Sequence, residues 1–369
     1  MTTPSSKIQN ITNLPLNGRN VSKEGKEMIL TMKEAAPVQE IKWKLRSATL
    51  KDVEAAHELF DICSHHMIGK SEVSLSHVRS EWTSPGFDLE NSVRVVDGPD
   101  GGIIGYVELW DIDDPPVSIW VWGRVHPDYE GQGIGTSLMN WAEERAISAI
   151  SRVPDGLRVA MRSGTFSGYE PASDLFLDRN MSLDRHFLNM VIDLDEEPEA
   201  PLWPDGIQLR AMKDESELEA IVKAVRDAFQ DHWGYVETEF ETEYEQWLHF
   251  IRDDEDFDPS LWFLAMDGER IAGISLCREK YDEDPNMGWV STLGVLRPWR
   301  RQGLGLALLR HSFRILRERG QKRAGLGVDA GSLTGATGLY EKAGMRCFRQ
   351  FDTYELELRP GRDIAKRSL

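Results

Sequence analysis

Residues 289–305 read Trp289-Val290-Ser291-Thr292-Leu293-Gly294-Val295-Leu296-Arg297-Pro298-Trp299-Arg300-Arg301-Gln302-Gly303-Leu304-Gly305. The first seven residues form an apolar stretch of strand length. After Gly305 the pattern changes to a helical period, with Leu304, Leu308, Phe313 and Leu316 on or near one face and Gly320 as a stop. Glycines between a strand and a helix leave backbone N–H groups uncovered. Those groups and the positive end of the helix dipole form an anion site. Arg300 and Arg301 add fixed charge, and a pyrophosphate is a natural occupant.

The same pattern occurs a second time. Glu130-Gly131-Gln132-Gly133-Ile134-Gly135 follows another apolar strand and opens another helix, with Val125 matching Val295 and Gly133 matching Gly303. The repeat extends outward from there. Each half opens with a strand ending in Leu-Arg (Leu45-Arg46, Leu209-Arg210) and continues through an acidic turn into a helix. Each then carries a strand pair with a glycine-containing bend. A repeat of this length predicts duplicated domains rather than a short-period solenoid. The prolines of Glu196-Glu197-Pro198-Glu199-Ala200-Pro201-Leu202-Trp203-Pro204 suit a linker. The expected organisation is a flexible tail over 1–40 with at most a short helix near 28–32, an N-terminal domain over 41–195, a linker over 196–204, a C-terminal domain over 205–358 and a short polar tail over 359–369.

Composition narrows the function. The chain has 369 residues and a formal charge of −19, which disfavours a nucleic-acid partner and suits a cationic one such as an amine. No run of apolar residues is long enough to span a bilayer, and Met1-Thr2-Thr3-Pro4 opens no secretory signal. Cys63, Cys277 and Cys347 lie far apart and show no metal-ligand spacing, so a reduced cytoplasmic setting and no metal are expected.

The two glycine turns in matched domains resemble the signature Arg/Gln-x-x-Gly-x-Gly/Ala of the GNAT superfamily of acyl-CoA-dependent N-acyltransferases. Arg300 to Gly305 matches in full. The N-terminal copy departs from it in having Glu130 at the basic or amide position. The tandem arrangement is similar to that of two-domain members resembling mycothiol synthase. The resemblance implies two α/β (α+β) domains, each a mixed, mostly antiparallel central sheet flanked by helices. It implies acetyl-CoA as co-substrate, contacted by Leu293, Gly294, Val295, Arg300, Arg301, Gln302, Gly303, Leu304, Gly305 and Ser332, the last standing near a position where the family often has Asn. It also implies that Gln132, Gly133 and Gly135 keep at most a weak cofactor contact.

Within Leu339-Tyr340-Glu341-Lys342-Ala343-Gly344, Tyr340 matches the family tyrosine that protonates the departing thiolate. Its N-terminal counterpart is Phe176, which has no proton to give. The N-terminal domain is therefore expected to be a degenerate structural partner, and a fragment of about 205–369 to carry the machinery.

Many relatives place an acid on the fourth strand, and residues 289–295 contain none. Glu279 is the nearest candidate base. His232 and Trp233, in a segment that covers the acceptor site in this fold, are candidate acceptor contacts. Three readings follow: acetyl transfer to a primary amine of a small molecule by direct attack in a ternary complex, transfer to a protein or peptide amine, or a CoA-binding sensor without turnover. A monomer or homodimer is expected.

Overall fold

The structure, a computed structural model, describes residues 43–254, 256–332 and 335–366. The expected tail over 1–40, with its short helix, lies outside the described residues.

The N-terminal half runs β1 (Leu45–Ser47), α1 (Val53–Ile68), α2 (Leu75–Trp82), α3 (Leu89–Ser92), β2 (Val93–Asp97), β3 (Ile103–Trp110), β4 (Ser118–Val125), α4 (Ile134–Ala149), β5 (Val159–Phe166), α5 (Glu170–Asp178) and β6 (Ser182–Asp193). The C-terminal half runs β7 (Ile207–Ala211), α6 (Leu218–Phe229), α7 (Phe240–Asp253), β8 (Trp262–Asp267), β9 (Arg270–Arg278), β10 (Met287–Val295), α8 (Leu304–Glu318), β11 (Arg323–Asp329), α9 (Ala336–Lys342) and β12 (Arg346–Arg359).

The halves do not keep separate sheets. The twelve strands of the described residues form one sheet in the order β1-β2-β3-β4-β5-β12-β6-β11-β10-β9-β8-β7. The order is the same read from either end once each strand is exchanged for its counterpart, so a pseudo-two-fold axis passes between β12 and β6. The last strand of each half thus lies beside the fifth strand of the other. β12 pairs with β5 from Phe351↔Phe166 to Arg359↔Val159, and β6 pairs with β11 from Phe187↔Asp329 to Asp193↔Arg323.

The cores follow the exchange. Tyr354 of β12 is buried among Phe176, Met161 and the residues under α4, while Met190 of β6 is buried among Leu308, Phe313 and Leu326. The expected boundary near residues 196–204 separates the two repeats in sequence, but hydrogen bonding crosses it. That segment is irregular and lies along α8, where Arg314 pairs with Glu197 at 2.6 Å and Arg317 donates to the Leu194 carbonyl at 3.0 Å.

In both halves the parallel strand pair splays. β10 pairs with β11 only over Met287–Trp289 against Arg323–Gly325, and β4 pairs with β5 only over Ser118–Trp120 against Ala160–Arg162. Beyond those points a gap opens between the strands. In β10 a bulge between Val290 and Thr292 also shifts its register against β9. The expected polar tail after 359 is partly docked: Lys366 accepts from the Gly234 N–H at 2.7 Å and donates to the Tyr235 carbonyl at 3.0 Å, pinning the loop after α6.

Candidate active site

The C-terminal gap leads into a cavity of about 560 Å³. Its walls are Leu293, Gly294 and Val295 of β10, the turn from Arg300 to Gly305, Leu326 to Val328 of β11, and Gly335 to Lys342 at α9. Gly303 caps α8 with φ 85°, and Arg301 before it has φ 61°. This left-handed pair turns the chain so that the first N–H groups of α8 face outward without helical partners. The charged residues on the cavity wall are Arg300, Arg301 and Lys342, with no carboxylate among them, in a chain of charge −19. A polyanionic nucleotide fits that donor set.

The sequence-derived residues divide among several places. Leu293 to Val295, Arg301, Gly303, Leu304 and Gly305 all line this cavity. Gln302 sits on the exposed side of the turn, and its amide donates to the Pro298 carbonyl at 3.1 Å. Arg300 lines the cavity, but its guanidinium is already bonded. It donates to the Val295 carbonyl at 2.9 Å, to the Ala228 carbonyl at 2.9 Å and to Asp231 at 3.1 Å. It clamps α6 to β10, leaving Arg301 and Lys342 as the exposed charges.

Tyr340 is buried against Leu308 and Leu326 and lines the cavity, and burial pushes its phenol up to about 12. A phenol of that kind holds its proton until a strong base forms beside it. Ser332 lies just after β11, where its N–H donates to the Asp329 carbonyl at 3.1 Å; it is not on the cavity wall.

Glu279 does not reach the site. It follows β9 and pairs with Arg319 at 3.0 Å, at the far end of α8 from the glycine turn, too far from the gap to act as the base. His232 and Trp233 face different spaces. His232 packs on Phe229 and lines the cavity at the glycine turn, where burial pushes its imidazole down to about 4. It is neutral near pH 7 and a weak base. Trp233 lies between Arg162 and Arg185, each about 4.8 Å from its ring centre, in a separate interdomain cavity.

A chamber of about 250 Å³ lies on the other face of the splay. It shares Ser291, Gly327 and Val328 with the first cavity, so the two meet at the gap between β10 and β11. Both halves build it. The N-terminal half supplies Glu72, Tyr106, Glu108, Trp120, Trp122 and Arg124, and the C-terminal half supplies Tyr281, Glu283, Trp289 and Asp329. Most of the carboxylates are committed: Glu72 to Arg124 at 2.8 Å, Glu108 to the Tyr106 hydroxyl at 2.7 Å, and Glu283 to Arg349 at 2.6 Å. The Ser291 hydroxyl, at the bulge, and Asp329 Oδ2 are buried without a hydrogen-bond partner among the described residues. Such atoms mark where a ligand supplies the partner. Asp329 escaped the sequence reading because Leu326-Gly327-Val328-Asp329 looks like an ordinary strand end. The available signal was an acid aligned with two glycines on one strand face.

The N-terminal turn has the same backbone and different surroundings. Gly133 caps α4 with φ 85°, but Glu130 accepts from the Tyr169 hydroxyl at the start of α5. The Gln132 carbonyl accepts from the Trp43 indole at 3.2 Å. Cys63 donates to the Val125 carbonyl at 3.2 Å, occupying the role that Arg300 has at Val295.

The profile of the Acetyltransferase (GNAT) family matches residues 54–155 and 219–345, and the chain belongs to that family. It is therefore an N-acetyltransferase of GNAT type, with acetyl-CoA as the co-substrate of its class. Among curated relatives, a mycothiol acetyltransferase of Streptomyces scabiei (strain 87.22) is 29% identical over 265 residues, covering 69% of this chain and 75% of the relative. A mycothiol acetyltransferase of Salinispora arenicola (strain CNS-205) is 30% identical over 252 residues, covering 66% and 75%. Among solved structures, a GCN5-related N-acetyltransferase from Sphaerobacter thermophilus superposes with a TM-score of 0.69 at 31% identity, covering 88% of this chain and 98% of that one. A tandem GNAT protein from the clavulanic acid biosynthesis pathway shares the fold at TM-score 0.63 and 15% identity, covering 87% and 100%. Among the described residues no helix is long and apolar enough to cross a membrane.

Proposed function

We propose that the protein transfers the acetyl group of acetyl-CoA to the amine of a small, cationic molecule held in the chamber between the halves. The observation that carries this reading is the meeting of the two cavities at Ser291, Gly327 and Val328. One side is lined by cations, the other by carboxylates and by the rings of Trp120, Trp122, Trp289 and Tyr281. An ammonium is favoured by such a surround, through both charge and ring faces.

The nucleotide end would lie on the N–H groups after Gly303, near Arg301 and Lys342, with the thioester at the splay. Holding both reactants at one gap removes most of the entropic cost of bringing them together. Tyr340 then gives its proton to the departing sulfur. The relatives named for mycothiol support a small-molecule acceptor, and the two-sided enclosure of the chamber favours a metabolite over a protein side chain. A thiol-release screen with acetyl-CoA tests this against aminosugars, arylalkylamines, polyamines and lysine peptides. Turnover confined to peptides, or to none of these amines, would overturn the reading.

A further inference from the structure

We infer that Asp329 is the base that takes the proton from the acceptor ammonium, an inference that rests on the transfer reading above. The strand pattern puts it there. Along β11, Ala324, Leu326 and Val328 pack into the core under α8, so Gly325, Gly327 and Asp329 face the opposite side. Trp289 covers that face at Gly325, where an added Cβ would come within 2.6 Å of its ring. The next position, Gly327, is the bare floor where the two cavities meet. Asp329 follows, about 7 Å further along the strand at the usual rise per residue. An amine poised over Gly327 thus shares one chamber wall with its carboxyl.

Other acids of the chamber already have a side-chain partner: Glu72, Glu108 and Glu283 as described, and Glu81 the His77 imidazole at 3.2 Å. Asp329 is fully buried, and its Oδ1 accepts from the Gly331 N–H at 2.6 Å. Its Oδ2 has no hydrogen-bond partner among the described residues. The charged groups around it come from β6: Arg185, Asp184 and His186. Burial pushes the carboxyl up to about 7. The Gly331 N–H and Arg185 oppose the rise, Asp184 adds to it and His186 opposes it weakly. A carboxylate of that basicity takes a proton from an ammonium far better than an ordinary one does.

The Asp329 carboxylate takes one proton from R–NH3+, leaving the neutral amine. The nitrogen lone pair forms the C–N bond at the thioester carbonyl carbon. When the C–S bond breaks, its electron pair goes to sulfur, which takes the Tyr340 proton. The second proton on nitrogen restores the phenol. The carboxylic acid of Asp329 releases its proton to solvent, so the products are the N-acetyl amide, CoA thiol and one proton.

The test compares wild type with Asp329→Asn from about pH 5.5 to about pH 9, using an amine found in the thiol-release screen. Asparagine keeps the acceptor for Gly331 and removes the base. Turnover should fall on the order of 100- to 1000-fold with KM for acetyl-CoA unchanged. Wild-type kcat/KM should fall tenfold per pH unit below about 7, and the deficit of the variant should shrink at high pH, where free amine forms in solution. A readout independent of turnover is thermal stability. A raised carboxyl pKa penalises the native state as pH climbs from the ordinary aspartate value to the folded one. Asp329→Asn should therefore gain Tm over wild type progressively between about pH 4 and about pH 7. An unchanged pH profile, or a uniform loss of turnover without the Tm difference, would overturn the inference while wild type still acetylates. Wild type acetylating no amine would overturn the transfer reading and this inference with it.

Discussion

Residues 130–135 and 300–305 have one backbone and two chemistries. Both turns end in a glycine at φ 85° and both open a long helix. At residue 300 an arginine is clamped by Asp231 and carbonyl oxygens, and the neighbouring Arg301 faces out beside an open cavity. At residue 130 a glutamate is tied to Tyr169, and Trp43 bonds the turn from the other side. The backbone torsions build the fold and recur in both halves. The proposed cofactor site needs charge and an open mouth as well, and Arg301 with the cavity beside it supplies both in the C-terminal half. The N-terminal half is nevertheless more than a prop, because Glu72, Tyr106, Trp122 and Arg124 wall the chamber proposed for the acceptor.

The sharpest way to break this comparison is to separate the halves. The sequence suggested that a fragment of 205–369 carries the machinery. The strand order argues otherwise, since that fragment loses β6 from the edge of β11 and leaves β12 without β5. We expect it to lack a cooperative thermal transition by circular dichroism, while co-expression with residues 41–204 restores one. A fragment that melts cooperatively and binds acetyl-CoA alone would show that the exchanged strands are dispensable.

The next test asks which turn holds the nucleotide. Gly303→Asp places a carboxylate on the helix N-terminus and should weaken acetyl-CoA binding on the order of 100-fold by calorimetry. Gly303→Ala carries the strain of positive φ without the charge and separates the two contributions. Gly133→Asp should leave affinity within about twofold. Equal losses at the two turns would show that both bind.

A third contrast is Tyr340 against Phe176. Tyr340→Phe should lower turnover roughly 10- to 1000-fold and spare acetyl-CoA affinity, because the phenol acts only as sulfur departs. Phe176→Tyr should add no activity to that variant, as Glu130 and Tyr169 still close the N-terminal turn. Unchanged turnover in Tyr340→Phe would return the ring to a packing role.

The smallest expected effect concerns the clamps. Burial of Asp231 favours the neutral form, but bonds from Arg300 and Arg297 outweigh it and hold the carboxyl below its ordinary value. Stability from this pair is therefore present at neutral pH and is lost as pH falls through the depressed value. Asp231→Asn should cost about 1–2 kcal/mol at pH 7 by urea titration and progressively less below about pH 4. Glu130→Gln, which keeps an acceptor for Tyr169, should cost less than about 0.5 kcal/mol.

Local features were legible without coordinates. The duplication, the strand–turn–helix units, the glycine at the helix cap and the tyrosine of α9 all follow from hydrophobic period and backbone torsion, which neighbouring residues determine. The long-range features were not. Nothing in residues 182–193 or 346–359 says which fifth strand each will join, because any complementary edge satisfies the same backbone groups; the choice belongs to the whole sheet. Arg300 read as a phosphate ligand because a basic residue before a glycine turn usually is one, and Asp231 became its partner only when α6 packed beside it. Asp329 read as an ordinary strand residue. Its basicity comes from complete burial and an unpartnered oxygen, and desolvation is set by everything packed around a group, not by its neighbours in the chain.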